Sequence, residues 1–209
     1  MKLYYSPGAC SLSPHIVARE AGIKVDLQKV NTKVKSMEGG GDFWSVNAKG
    51  YVPTLELDNG ERLTEGPAIV QYHADQKPES GLAPKAGTME RYRVQEWLNF
   101  LTSEIHKQFS PLFRPNTPED YKPIAKENLA KRFDFLDKHF AKNDYLMGKQ
   151  FTVADAYLFV LTNWTKPTNI DLSKWPNLQK YNQRVAARPK VKEAMQAEGL
   201  IPKEPERAH

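Results

Sequence analysis

Between Lys2 and Asp75 the hydrophobic pattern changes period several times. Lys2–Ser6 is a short strand candidate, and Ser13–Ala21 reads as a helix with Ile16, Val17 and Ala18 apolar. Val25–Val30 alternates apolar and polar residues, as a half-buried strand does. Met37–Asp42 holds three consecutive glycines and predicts a loop. Thr54–Leu57 and Glu61–Thr64 flank Asp58-Asn59-Gly60, a hairpin signal because Asn-Gly tolerates positive φ. Glu65–Asp75 then predicts a helix with a carboxylate at its positive end. The predicted order is βαβ followed by ββα.

Beyond a proline- and glycine-bearing stretch, 78–87, the period becomes helical throughout. Val94, Trp97, Leu98, Leu101 and Ile105 fall at i, i+3, i+4, i+7 and i+11, one continuous apolar face. Further helices are predicted over Pro123–Phe140, from Thr152 onwards, and over Leu178–Ala197. Thr152 and Asp155 have the spacing of a capping box, with Phe151 placed as a staple. The expected fold class is therefore α/β plus all-α: residues 1–77 form a small α/β domain, 78–87 a linker, and 88–209 an all-helical bundle.

Composition narrows the function classes. With 40% hydrophobic residues among 209, the chain has enough apolar material to fold, unlike a disordered segment. Phe151–Thr165 is the longest nearly charge-free run; it still contains Asp155 and is too short for a membrane span. Met1-Lys2 leads straight into a strand pattern with no secretory h-region, and the one cysteine leaves no disulfide framework. Both point to a reducing, cytoplasmic location. The formal net charge is +5, with −1 on residues 1–80 and +6 on the rest. The basic residues are interleaved with acids, as in Arg91 and Arg93 beside Glu90 and Glu96, so a solvated helix face is expected rather than nucleic-acid binding.

Several chemistries lack their motif. The histidines never lie within four residues of one another, and a lone cysteine makes no zinc cluster, so no metal is expected. Glycine fingerprints for dinucleotides and phosphates, and the serine nucleophile elbow, do not occur. What remains is Tyr5-Ser6-Pro7-Gly8-Ala9-Cys10-Ser11-Leu12-Ser13-Pro14, running from strand through turn to helix. Cys10 then lies close to a helix N-terminus, where unpaired amides favour a thiolate, and Cys10 to Ser13 has the Cys-x-x-Ser spacing of a monothiol redox site. A depressed thiol pKa is expected; a buried structural cysteine is the alternative. Val52-Pro53 opens the hairpin, where a cis bond would expose peptide groups of Val52 to an extended ligand. Thr64-Glu65-Gly66-Pro67 sets a carboxylate and free amides at a helix start, a corner suited to a ligand with both an ammonium and a carboxylate.

Together, Tyr-x-x-x-x-Cys-Ser, Val-Pro, Leu-Thr-Glu-Gly and Phe-Thr-Val-Ala-Asp-Ala-Tyr-Leu resemble the cytosolic glutathione S-transferases. Cys10, with Trp97-Leu98-Asn99-Phe100 and His106-Lys107, resembles the bacterial beta class more narrowly. The resemblance runs along essentially the whole chain. It implies a thioredoxin-like first domain, a homodimer, and glutathione as cosubstrate with no cofactor. It implies conjugation of glutathione to small hydrophobic electrophiles as the reaction, and through Cys10 a thiol–disulfide exchange or peroxidase side activity.

Residue by residue, Cys10 would face the glutathione sulfur and Val52, ahead of cis Pro53, would pair with the cysteinyl part. Glu65 and the amide of Gly66 would hold the γ-glutamyl end, and Lys35 would approach the glycine carboxylate. Asn99, Ser103 and His106 form a polar stripe at i, i+4 and i+7, which in the family approaches glutathione, Asn99 from the other subunit; Glu104 and His106 match family positions, His106 as a catalytic one. Phe109, Leu112, Phe113 and Trp164 are candidate walls for the second substrate, or core aromatics. Position 66 is glycine where the family more often has a hydroxyl. A non-catalytic interaction protein and a carrier for apolar compounds are the alternatives.

Overall fold

The computed structural model describes residues 1–203. Its sheet has the order β3-β2-β1-β4-β5. Strand β1 (Lys2–Tyr5) is central, parallel to β2 (Asp26–Asn31) and antiparallel to β4 (Thr54–Glu56). Leu3 faces Leu27 on one side and Leu55 on the other, and Leu3 and Leu55 are fully buried. β5 (Arg62–Thr64) completes the Asn59-Gly60 hairpin; Gly60 takes the positive φ that the turn requires. A two-residue edge strand, β3 (Ser36–Met37), pairs with β2 just before the glycine loop. It is too short for any alternation to announce it.

Helices α1 (Leu12–Glu20) and α2 (Gly66–Gln76) cover the sheet. Helix α3 (Met89–Phe100) runs through a wider π-turn, Leu101–His106, into α4 (Lys107–Phe113). Thr102 and Ser103 hydroxyls donate to the carbonyls of Leu98 and Asn99 there, four residues back. Helices α5 (Tyr121–Phe140), α6 (Val153–Asn163), α7 (Pro176–Ala186) and α8 (Pro189–Ala197) complete the bundle. The single last helix expected over Leu178–Ala197 is two helices. Pro189 lacks an N–H and pushes Arg188 to an extended ψ of 131°, ending α7 and starting α8.

Helix α6 is the axis of the molecule. Every residue from Val153 to Thr162 is buried, and its apolar side chains share one core with Leu12, Ile16 and Val17 of α1. Its start carries the capping box expected from Thr152 and Asp155. Asp155 is wholly buried and accepts from the amides of Leu146 and Thr152, both at 2.9 Å, and from the Tyr181 hydroxyl at 3.0 Å. Because both domains draw on this core, the α/β unit and the helices are held in a fixed relation, and the cleft between them has a defined shape.

Candidate active site

The cleft lies between the turn after β1, the Val52-Pro53 segment, the start of α2 and the π-turn–α4 helix, enclosing about 190 Å³. Cys10, Val52, Pro53, Glu65, Gly66 and His106 all line it. The loop that carries Cys10 is gripped from the helical side. Glu198 of the last turn accepts from the Gly8 amide at 3.0 Å, and the Trp164 indole donates to the Gly8 carbonyl at 2.9 Å. Gly8 has φ +71°, which a side chain would strain. His15, fully buried, donates through Nδ1 to Glu198 at 2.8 Å, while its Nε2 accepts from Arg19.

Cys10 sits just before α1, and its thiol donates to the Val52 carbonyl at 3.3 Å. The Val52–Pro53 bond is cis. The expected depressed thiol pKa is not found: desolvation pushes Cys10 up to about 11, and the helix-start amides of Cys10 and Ser11 and the charge of Lys107 offset only part of that. Ser13 does not reach the sulfur, since its hydroxyl donates to the Cys10 carbonyl at 2.9 Å. Alkylation of the ligand-free protein by iodoacetamide should therefore be slow at pH 7. The rate should still be climbing at pH 10; a plateau below pH 8 would contradict this burial.

Glu65 takes a left-handed φ of 69° immediately before α2, its side chain 68% exposed and paired with Lys49. Lys49 also donates to the Thr64 hydroxyl at 2.8 Å. Gly66 is not at positive φ, and a Cβ there would meet Pro53 Cγ at 3.8 Å and Ser13 Oγ at 3.9 Å, ordinary contacts. A hydroxyl therefore fits at this position without strain.

His106 shares a hydrogen bond with the Tyr157 hydroxyl, and its ring packs edge-on against Trp164 at 4.9 Å. Burial, helped by Lys107, lowers its pKa to about 4 despite Glu65. His106 is thus a neutral imidazole from about pH 5 upward, and it cannot shuttle protons near neutrality by changing charge. The pH dependence of kcat/KM should consequently show no limb from an imidazole between pH 5.5 and 8. A profile whose inflection in that range disappears in His106→Asn would contradict the neutral assignment.

The structure does not bring every expected residue to the cleft wall. Asn99 and Ser103 are exposed, and Glu104 bonds Arg132 of α5. The π-turn separates this face from the one carrying Thr102, His106 and Ser110, which do line the cleft. Lys35 donates to the Gly50 carbonyl at 2.7 Å and lies over the Tyr51 ring, beside the rim rather than in it. Of the aromatic and apolar set expected as second-substrate walls or core, most belong to the core. Phe109 is fully buried against Phe133 and Trp164, Leu112 is half-buried, Trp164 is engaged with Gly8, and only Phe113 is exposed. The residues that line that side are Thr102, Lys107, Ser110, Arg114 and Tyr157. Their spacing on one helix, i, i+4, i+8 for Thr102, His106 and Ser110, was the available signal. Lys49 had none, because its partner Glu65 is sixteen residues away.

Both halves of the chain match a known family. Residues 8–76 match the glutathione S-transferase N-terminal domain and residues 100–189 the C-terminal domain. Glutathione S-transferase GstA of Escherichia coli O157:H7 is 44% identical, covering 96% of this chain and all of the relative. The chain belongs to the bacterial beta-class glutathione S-transferases. Among solved transferases, that of Sphingomonas chungbukensis, described as bacterial beta class, superposes with a TM-score of 0.94 at 49% identity over 96% of this chain and all of its own. A sphingomonad transferase complexed with glutathione gives 0.93 at 48% identity, with the same coverage. The present transferase therefore has the α/β plus all-α fold that its sequence pattern predicts, the first domain being thioredoxin-like as the resemblance implies, and it is an enzyme of this class.

Proposed function

We propose that this transferase conjugates the glutathione thiolate to small electrophiles in the cytoplasm, as a homodimer. The observation that carries the reading is the convergence, on one cleft, of the Cys10 thiol, the Val52 peptide group and the Glu65–Gly66 helix start. Glutathione would lie along that line, its ammonium on Glu65, its γ-glutamyl carboxylate on the first amides of α2, and its sulfur beside Cys10. A Cys10 held protonated by burial is a neutral S–H donor, suited to stabilising a neighbouring thiolate. The thiolate attacks, a C–S bond forms, and the leaving group departs with its electron pair. Lys35 would serve the glycine carboxylate from the rim, and Asn99, with Ser103 and Glu104, would complete the site across the dimer.

A second activity follows from Cys10 itself. Its thiolate would attack oxidised glutathione, forming a mixed disulfide and releasing one reduced glutathione. The high thiol pKa makes this the slower reaction at neutral pH. Intact mass after incubation with oxidised glutathione should rise by one glutathione and fall back with reductant; an unmodified protein removes the exchange reading. Turnover with glutathione across aryl halides, hydroperoxides and mixed disulfides tests the main one, and absence of conjugation on every electrophile overturns it. Sedimentation should show a dimer at micromolar concentration, and an active ~24 kDa monomer would contradict it.

Gly66 offers a finer test. Restoring a hydroxyl at the helix start adds one charge-assisted hydrogen bond to the γ-glutamyl carboxylate, worth about 1.5–3 kcal/mol before water is displaced. Since a Cβ fits, Gly66→Ser should tighten glutathione by up to about tenfold in calorimetric titration. Unchanged affinity would place the carboxylate elsewhere.

A further inference from the structure

The wall expected to be apolar is cationic. Lys107 and Ser110 lie on α4, Arg114 is the extended residue that ends it, with ψ 125°, and all three line the cleft that holds Cys10. Both cations are exposed, and among the described residues neither forms an ion pair. Among the described residues the one acid in the cleft lining is Glu65, which is paired with Lys49 but whose charge still reaches Cys10 and His106. The acid nearest in sequence, Glu104, is bound to Arg132 of α5. A second substrate entering beside the sulfur therefore meets two exposed cations against one acid that is already paired, while the Thr102 and Ser110 hydroxyls donate to the Leu98 and His106 carbonyls. His106 adds no charge above about pH 5. Concave walls of one sign concentrate ligands of the other.

On the conjugation reading above, we infer that Arg114, with Lys107, selects electrophiles that carry an anionic group, such as carboxylated aryl halides. Arg114 recognises the carboxylate through its planar guanidinium, and Lys107 adds a point charge closer to Cys10. The ring is thereby oriented with its halide-bearing carbon toward the glutathione sulfur. In the reaction the thiolate adds at that carbon, the C–S bond forms, and chloride leaves with the C–Cl electron pair. The proton lost by glutathione passes to buffer, and no further reactant is needed. The carboxylate takes no part beyond binding, so it is retained in the product.

The test compares chlorodinitrobenzene with chlorodinitrobenzoate, each kcat/KM divided by its uncatalysed rate with glutathione. The unmodified enzyme should favour the benzoate, and the preference should shrink at high salt, where exposed charges are screened. Arg114→Gln should lower the benzoate-to-neutral ratio by about fivefold, and Arg114→Glu should lower it further, since an exposed pair of this kind has a modest effect. Equal normalised rates for the two substrates in the unmodified enzyme would overturn the inference while leaving conjugation intact. Turnover of neither would remove both. A rise in the KM for glutathione with both electrophiles, at an unaltered ratio, would show that Arg114 serves the glutathione carboxylate, and the inference would fail.

Discussion

Replacing Asp155 by Ala is expected to destabilise the fold by about 3–5 kcal/mol, because it leaves buried donors without an acceptor. Among the described residues four donors converge on this carboxylate: the amides of Leu146 and Thr152 and the hydroxyls of Tyr181 and Thr152. None can turn to water, since the side chain is wholly buried at the start of α6. In a chain of this size the loss corresponds to a fall in Tm of roughly 10 °C. Asp155→Asn keeps one acceptor oxygen but turns an NH2 toward a donor, so it should fall between the two. Thermal unfolding of the three proteins decides the order. The activity of whatever fraction remains folded at low temperature should be near normal, because Asp155 does not line the cleft. A large loss of kcat without a loss of Tm would assign Asp155 to the chemistry instead.

The second large effect is expected at Glu65. Glu65→Gln keeps the shape of the side chain and removes the charge proposed to face the glutathione ammonium. A hydrogen bond to a charged group is worth about 1.5–3 kcal/mol, so affinity should fall by roughly ten- to a hundredfold. The lower end is expected, because Glu65 is largely exposed and already paired with Lys49. Stability should change little, since that exposed pair contributes little to folding. The distinguishing readout is the KM for glutathione, which should rise while the KM for the electrophile stays put. Equal binding by the two proteins would mean that the ammonium lies away from the start of α2.

The parts of this fold that could be read in the sequence are those set by local pattern. The Asn59-Gly60 hairpin is one, the Thr152–Asp155 capping box another, and the apolar face from Val94 to Ile105 a third. Each is decided within a dozen residues by backbone tolerance or helical period. Errors arose where a single residue overrode a pattern, as Pro189 does in breaking the last helix, or where a segment was too short to have one, as in β3.

The site divides in the same way. Cys10, Val52, Glu65 and Gly66 stand at strand and helix ends, positions that sequence motifs mark, and the structure gathers them. For Phe109, Leu112, Phe113 and Trp164 the sequence leaves wall and core both open, because helical spacing alone does not say which face meets the core. In the folded protein Phe109 is buried, while Lys107, Ser110 and Arg114 line the cleft. The Cys10 thiol departs from the helix-start expectation for a physical reason. A helix start lowers a cysteine pKa, but burial raises it, and burial is a property of the packed molecule.

The central claim is that glutathione lies across Cys10, Val52 and the start of α2 with its sulfur beside Cys10. A crystal structure of the enzyme with bound glutathione tests this most directly. The account predicts the cysteinyl backbone paired with Val52, the γ-glutamyl end on Glu65 and the amide of Gly66, and the two sulfurs within contact of each other. Glutathione bound elsewhere, or bound in this cleft with its sulfur turned away from Cys10, would contradict it.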